Sequence, residues 1–354
     1  MKIGIPKEIK PLEGRVGLVP EACGEFVQAG HQVLVEAGAG SLSGYADNEY
    51  QSAGVDIVGT AEAVYEASDL LVKVKEPYGP EPEMLREGQR LFCFLHLAAD
   101  ESLTRRLQQS GVTAIAFETL SVDGALPILA PMSDIAGRLA VQYGTTLLHH
   151  PQGGKGLLLG GLPGAERGHV VILGGGQAGG NAARLAAAMG ARVTVFERQR
   201  VRMVAMRNLG DNVTALYPYQ TLIDDLVSEA DLLIGAVLIP GARAPSVVSR
   251  QQVEGMMRGS VVVDISVDQG GCIETTRPTT YEDPTYQVKG VTHFAVTNMP
   301  GAVPRSASQA LSAALIPYLK RLTLPDWRKD SQLSGAVNLA NGEIVYPALR
   351  EQYL

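Results

Sequence analysis

The chain has 354 residues, of which 45% are hydrophobic, and its formal net charge is −7. This length is sufficient for two domains with full apolar cores, and no stretch approaches the roughly 20 apolar residues that span a bilayer. The acidic balance, with an isoelectric point of about 5.5, argues against nucleic acid and other polyanions as partners.

The three cysteines are odd in number and widely spaced, at Cys23, Cys93 and Cys272. They lack metal-ligand spacing, so no metal site is predicted, and they favour a reducing compartment. Cys93 lies between two phenylalanines and is expected to be a small buried hydrophobic residue. The N-terminus lacks the apolar core of a signal peptide. These features predict a cytoplasmic protein.

The first part of the chain alternates short apolar runs with helical stretches. Strands are predicted at residues 2–6, 32–36, 70–75, 91–96 and 113–118, and helices at 20–29, 60–67 and 103–110. Such alternation predicts a parallel sheet with helices on both faces. Ser133 is expected to cap a connecting helix whose apolar face carries Ile135, Leu139 and Tyr143.

A glycine turn follows the apolar run at 170–173. Gly174, Gly176 and Gly179 have the spacing Gly-x-Gly-x-x-Gly, and a helix, a strand at 192–196 and the acidic Glu197 come next. In this setting the first glycine permits the turn, the second lets backbone approach a pyrophosphate, and the third lets the helix pack closely on the strand. The sequence therefore predicts a Rossmann domain that binds a dinucleotide, with Glu197 accepting hydrogen bonds from a ribose.

Further strands are predicted at 231–237, 260–265 and 293–296, and a final amphipathic helix at 307–322. We expect an α/β protein of two doubly wound domains with a cleft between them. Residues 1–127 and 305–354 would form the substrate and catalytic domain, and residues 128–304 the Rossmann domain that binds the cofactor.

Polar side chains at strand ends are the candidates for chemistry, since ligands of such folds bind at the carboxyl ends of the strands. His96 ends one strand and has an imidazole suited to proton exchange at neutral pH. Lys75 is nearest the end of another strand, and the alternative is an exposed pair with Lys73. Arg15 can hold a small carboxylate, and the alternative is a surface ion pair with Glu13.

The second domain offers a similar group of candidates. Asp268 follows the strand at 260–265 and could polarise water or a ribose hydroxyl, whereas Asp264 is expected to be a structural acceptor. Asn298 and Met299 follow the strand at 293–296 and would reach the nicotinamide region. The remaining histidines, His169 and His293 among them, are expected to be structural.

Several motifs occur in order along nearly the whole chain, at residues 4–8, 13–16, 30–31, 36–40, 71–77, 94–99, 130–133, 174–179, 264–271, 277–280 and 298–301. In these motifs the chain resembles the alanine dehydrogenases of the alanine dehydrogenase/pyridine nucleotide transhydrogenase family. The resemblance implies reversible oxidative deamination of L-alanine to pyruvate and ammonia, with hydride transfer to C4 of NAD⁺. It also implies a homo-oligomer, a hexamer in most members.

The resemblance assigns roles to the candidate residues. Arg15 would grip the substrate carboxylate, Lys75 would bind the carboxylate or keto oxygen, and Asn298 would also contact substrate. His96 would be the general acid and base, and Asp268 would assist it with the water that attacks the imine. The residues implied at the cofactor are Ser133, Gly174, Gly176, Gln177, Ala178, Gly179, Glu197, Arg202, Val237, Leu238, Asp268 and Met299.

Glu197 stands where the family often has aspartate. Its carboxylate would still accept from a ribose 2′-hydroxyl and repel a 2′-phosphate, but Arg198, Arg200 and Arg202 follow and could accommodate that phosphate. We therefore expect NAD preference with weaker use of NADP. The alternatives are the soluble NAD-binding subunit of a transhydrogenase, a saccharopine-type dehydrogenase with a bulkier substrate, and a non-catalytic NAD sensor.

Overall fold

The computed structural model describes residues 1–237 and 244–353, and it forms two compact units. The first unit comprises Met1–Met132 and Gly301–Leu354, and the second comprises Ser133–Pro300. Each unit is built on a mostly parallel sheet. No helix in the described ranges is long and apolar enough to cross a membrane.

The strands are β1 (Lys2–Ile5), β2 (Gln32–Glu36), β3 (Asp56–Val58), β4 (Leu70–Val72), β5 (Arg90–Cys93), β6 (Thr113–Ala116), β7 (His169–Leu173), β8 (Arg192–Phe196), β9 (Val213–Leu216), β10 (Leu232–Gly235), β11 (Val261–Asp264), β12 (Thr285–Val288), β13 (Val291–Phe294), β14 (Val337–Ala340) and β15 (Glu343–Ile344).

The α-helices are α1 (Pro20–Gln28), α2 (Asp47–Ser52), α3 (Ala61–Ala67), α4 (Glu81–Met84), α5 (Glu101–Ser110), α6 (Ala130–Leu147), α7 (Gln177–Ala188), α8 (Arg200–Arg207), α9 (Gln220–Ser228), α10 (Arg250–Glu254), α11 (Pro304–Leu322), α12 (Ser331–Gly335) and α13 (Pro347–Tyr353).

The sheet of the first unit has the strand order β15-β14-β6-β5-β4-β1-β2-β3. The strands from β6 to β3 run parallel, and β14 joins β6 antiparallel, with Val337 opposite Ile115. Strands β4 and β6 are buried along their whole length, so side chains on both faces are covered. This burial explains why their sequences are continuous apolar runs rather than alternating ones.

The sheet of the second unit has the strand order β12-β13-β11-β10-β7-β8-β9. All neighbouring pairs are parallel except β12 with β13. The strand order reverses beside β7, which pairs with both β8 and β10. Doubly wound sheets bind ligands at such a switch point. Here the strand at the switch point, β7, leads directly into the glycine turn.

The element boundaries differ from the sequence predictions at several points. Helix α6 begins at Ala130, so the prediction that Ser133 caps this helix is wrong. Pro131 is tolerated in a first turn because its missing N–H would have no helical partner there, and the helix therefore begins before the serine. Strands β3, β9, β12, β14 and β15 were not predicted. Of these, β3, β9 and β12 are only partly buried, so they lack the continuous apolar run that marked the predicted strands.

Candidate active site

Four adjacent parallel strands of the first unit end at the same sheet edge and carry polar groups there. Arg15 lies in the loop after β1, Lys75 follows β4, and His96 follows β5. Glu118 follows β6 and was not predicted as a site residue. Because neighbouring parallel strands present their carboxyl ends together, the first unit gathers two cations, an imidazole and a carboxylate on one edge.

Arg15 is held by a carboxylate two residues earlier. Its Nε donates to Glu13 Oε1 at 2.7 Å and its Nη2 to Glu13 Oε2 at 2.5 Å, which is a bidentate pair. Both side chains are buried, and Nη1 lies 3.2 Å from the sulfur of Met132. The ion pair considered from the sequence is therefore present, but it is an interior pair that fixes the guanidinium rather than a surface one.

Lys73 and Lys75 have different environments. Lys73 is fully buried, and its Nζ donates to Glu81 Oε1 at 2.7 Å and to Glu8 Oε2 at 3.3 Å. Lys75 is half-buried beside Glu76. Burial alone would raise the pKa of Glu76, but the charges of Lys75 and Lys10 outweigh it and lower that pKa. The alternative of an exposed lysine pair is therefore wrong, because Lys73 is buried. Lys75 is the partly exposed lysine, just beyond the carboxyl end of β4.

His96 has a left-handed backbone conformation, with φ +48° and ψ +34°. Its N–H donates to Glu118 Oε1 at 2.7 Å, and the N–H of Leu95 donates to the same carboxylate at 3.2 Å. The imidazole is exposed and stacks on Phe94, with ring centroids 5.9 Å apart. A conformation that is unfavourable for a non-glycine residue is thus held by a carboxylate, and it directs an accessible imidazole from the strand end.

The glycine turn of the second unit has the geometry that its sequence predicted. Gly174 has φ +96°, and a side chain there would begin 2.7 Å from the carbonyl oxygen of Ala236. A side chain on Gly179 would begin 1.8 Å from the carbonyl oxygen of Gly174, so only glycine lets α7 pack at this distance. Gly176 is the N-cap of α7 and has no side chain to cover the first N–H groups of the helix.

Glu197, at the end of β8, is almost fully enclosed by donors. Its Oε1 accepts from the N–H groups of Arg198 at 2.6 Å and Gln199 at 2.8 Å. Its Oε2 accepts from the N–H of Gly175 at 3.0 Å and lies 3.8 Å from Arg202 Nη1. A carboxylate oxygen has two lone pairs, so Oε2 retains capacity for one further donor.

The remaining residues of the second unit lie after β10, β11 and β13. Asp268 is exposed, and its Oδ2 accepts from the N–H of Asn298 at 3.3 Å, which joins two of the predicted site residues. Asn298 has φ +59°, and Met299 is buried. Val237 is half-buried after β10, whereas Leu238 lies outside the described residues.

Helix α6 supports the first turn of α7. Asp134 Oδ1 accepts from the side chains of Gln177 at 2.5 Å and Asn181 at 2.7 Å. A side chain on Gly137 would begin 2.1 Å from the carbonyl oxygen of Ala178, so the helices are in backbone contact there. Ser133 lies in the first turn of α6 and is half-buried.

The other notable polar side chains of the second unit serve the core. His169 Nε2 lies 2.9 Å from Thr194 Oγ1, and His293 Nε2 lies 2.8 Å from Thr275 Oγ1. Burial lowers the pKa of both imidazoles to about 4. Asp264 accepts from the N–H groups of Ser266 and Cys272, and burial raises its pKa. These contacts agree with the structural roles expected for the three residues.

Sequence reasoning missed the carboxylates that hold the candidate residues. Glu8, Glu13 and Glu118 each accept a backbone N–H at or next to a candidate. Only Glu13 gave any indication, through its closeness to Arg15 in sequence. Glu8 and Glu118 act across the sheet edge, where no local spacing can reveal a contact.

A Rossmann glycine turn with an acidic residue at the end of the next strand, together with acid–base groups at strand ends, defines a nicotinamide-dependent oxidoreductase. The family model described as the Alanine dehydrogenase/PNT N-terminal domain matches residues 4–136, and that of the C-terminal domain matches residues 140–347. The chain belongs to this alanine dehydrogenase/PNT family.

Individual proteins distinguish the two branches of the family. The alanine dehydrogenase of Halomonas elongata is 44% identical over 359 residues, covering 100% of this chain and 97% of that protein. A solved L-alanine dehydrogenase is 46% identical with a TM-score of 0.96, over 100% of this chain and 99% of that one. A transhydrogenase structure from Sinorhizobium meliloti is 26% identical with a TM-score of 0.86, over 98% and 100%. These values favour alanine dehydrogenase over transhydrogenase.

Proposed function

We propose that this chain catalyses the reversible oxidative deamination of L-alanine to pyruvate and ammonia, with NAD⁺ as the hydride acceptor. The observation that carries the proposal is the accessible His96 imidazole at the end of β5, with its backbone held by Glu118, in a chain that matches alanine dehydrogenases along its whole length. An NAD sensor would not need an acid–base group held in an unfavourable backbone conformation.

The first unit supplies groups for a small amino acid. Arg15 binds the substrate carboxylate, since its guanidinium is already oriented by Glu13. Lys75 binds the carboxylate or the keto oxygen as a compact cation. His96 removes a proton as the substrate amine becomes an imine, and it exchanges the protons of the water that adds to that imine. The carbinolamine then collapses to the ketone, pyruvate, and ammonia leaves.

The second unit supplies Asp268 and Asn298 to the same chemistry in this proposal. Asp268 is exposed and carries a carboxylate that can orient water, and it accepts a hydrogen bond from the backbone N–H of Asn298. Asn298 would contact substrate through its amide. Both assignments rest on the family resemblance together with this local contact.

The glycine turn fits a dinucleotide. Gly176, the N-cap of α7, has no side chain to cover the first N–H groups of the helix, and in this proposal the N–H groups of Gln177 and Ala178 bind the pyrophosphate, with Gly174 and Gly179 allowing the close approach of strand and helix. When bound, the nicotinamide supplies hydride acceptance at its C4 carbon. We propose that Ser133, Arg202, Val237, Leu238 and Met299 complete this site.

Glu197 supports the choice of NAD. A ribose hydroxyl can donate to the remaining capacity of Oε2, whereas a 2′-phosphate would bring its negative charge against a carboxylate that is only 7% exposed. Arg202 is half exposed and can offset part of that repulsion. We expect kcat/KM to be higher with NAD⁺ than with NADP⁺, and comparable values for the two would overturn the preference.

The deciding experiment follows NADH formation from L-alanine and NAD⁺ by absorbance at alkaline pH. Replacing His96 by Ala is expected to lower kcat about 10²–10⁴-fold, the usual contribution of a general acid–base group. His150→Ala is the matched control, because His150 is exposed and lies outside the proposed site. NAD binding without turnover of any amino acid would favour the sensor alternative.

The hexameric assembly stays a prediction, which light scattering can test.

A further inference from the structure

The first unit contains a buried triad of charges, Glu8, Lys73 and Glu81, that contributes no group to the proposed chemistry. Lys73 is 0% exposed, Glu81 2% and Glu8 7%. The ammonium of Lys73 lies 2.7 Å from Glu81 Oε1 and 3.3 Å from Glu8 Oε2. Because Lys73 is fully buried, it cannot contact a substrate itself.

Stability alone does not account for this triad. Burial raises the pKa of Glu8 in spite of the opposing charge of Lys73. Burial alone would lower the pKa of Lys73, but the charges of Glu8 and Glu81 outweigh the effect of burial and raise that pKa. Replacing buried ion pairs by apolar groups is often neutral or stabilising, so a buried triad requires an explanation other than the free energy of folding.

The backbone contacts of the two carboxylates supply that explanation. Glu8 Oε1 accepts from the N–H of Val74 at 2.6 Å and from the N–H of Lys75 at 3.4 Å. Glu81 Oε2 accepts from the N–H of Tyr78 at 2.7 Å. The triad therefore fixes the chain on both sides of Lys75, just after β4 has ended.

We propose that the triad is a positioning device for Lys75 and that Glu8 is its principal positioning residue. Lys73 neutralises and orients the two carboxylates, and these hold the backbone from which the Lys75 side chain projects. The two lysines of the Lys-Val-Lys sequence thus have different roles. Lys73 binds the buried carboxylates, and Lys75 extends towards the carboxyl ends of the strands. This inference rests on the proposed role of Lys75 in substrate binding.

Glu8→Gln tests the proposal without leaving a lone buried charge, because Lys73 and Glu81 remain as a balanced pair. We expect KM for pyruvate to rise about five- to tenfold through loss of the charge-assisted acceptor, with KM for NADH unchanged. The melting temperature should stay equal or rise, because burial disfavours the Glu8 carboxylate. Glu83→Gln is the matched control, since Glu83 is an exposed carboxylate on the same helix as Glu81.

Hydrogen exchange at residues 73–78 provides a readout that does not depend on turnover. Faster exchange there in Glu8→Gln supports the positioning role, and unchanged exchange overturns it. In a Lys75→Ala background, Glu8→Gln should not raise KM further, whereas an additional rise would overturn action through Lys75. If exchange accelerates but the wild type does not reduce pyruvate, the positioning of Lys75 stands and the proposed reaction fails.

Discussion

The two units build their sites in opposite ways. In the first unit, charged side chains make the site, and buried or half-buried carboxylates orient them: Glu13 holds Arg15, and Glu118 holds the backbone of His96. In the second unit, the absence of side chains makes the cofactor turn, because glycines let strand, turn and helix approach within backbone contact. The site residues of the first unit thus depend on charge, and the glycine turn of the second depends on close backbone packing.

This difference determines how each site fails. A glycine in backbone contact cannot accept even one methyl group without a shift of α7, so damage to the second unit is steric and abrupt. A carboxylate that accepts N–H groups can be replaced by an amide that still accepts, so damage to the first unit is graded. The following predictions test this contrast. Those on binding and catalysis run from the largest expected effect to the smallest, and one on stability in acid comes last.

Gly179→Ala should weaken NADH binding about 100-fold, because its side chain would begin 1.8 Å from the carbonyl oxygen of Gly174 and push α7 away from β7. Fluorescence titration with NADH measures the effect. Gly180→Ala is the control, since its nearest neighbour is the flexible end of Met206 at 3.3 Å. Normal affinity in Gly179→Ala would show that the second unit does not depend on this close approach.

Glu118→Ala should lower kcat about 10- to 100-fold while KM for NAD⁺ stays unchanged. The substitution leaves the N–H groups of Leu95 and His96 without their acceptor and releases a strained backbone, at a cost of about 1–3 kcal/mol. Glu118→Gln keeps an acceptor oxygen and should lose only a few-fold. Steady-state kinetics compares the two, and equal losses would mean that the carboxylate itself takes part in the reaction.

The last prediction concerns stability in acid, where the second unit buries neutral imidazoles while the first buries charges. Since burial lowers the pKa of His169 and His293 to about 4, the unfolded chain takes up protons first as the pH falls below about 6.5. The free energy of unfolding should therefore fall between about pH 6.5 and pH 4, by up to about 3 kcal/mol for each residue.

Urea unfolding near neutral pH and near pH 4.5 measures this loss. His293→Gln should show a smaller loss between the two conditions than the wild type, because glutamine does not titrate there. His150→Gln, at an exposed position, is expected to match the wild type. An unchanged pH dependence in His293→Gln would assign the acid sensitivity to other groups.

The features that the sequence predicted correctly are those that depend on residues close together in the chain. The glycine turn, the strand before it and Glu197 after the next strand were predicted and are confirmed, because each depends on local backbone geometry. The parallel α/β architecture followed from alternating apolar runs, and both sheets confirm it. The strand ends at β4, β5 and β6 were predicted within three residues.

Contacts between distant segments were not predictable. Lys73 and Lys75 have similar sequence surroundings, yet only the fold shows that Lys73 meets Glu8, 65 residues earlier. Glu118 reaches His96 across 22 residues, and no periodicity joins them. Ser133 was predicted as a helix cap from its residue type alone, whereas Pro131 allowed the helix to start earlier.

The sequence by itself determined the class of fold, the cofactor turn and the residue types at the strand ends, because short-range sterics and hydrophobic periodicity act on neighbouring residues. Only the tertiary structure decided which carboxylates hold Lys75 and His96. Those contacts form when parallel strands far apart in the chain align their carboxyl ends, and burial then makes each charge depend on the partner that the fold brings to it.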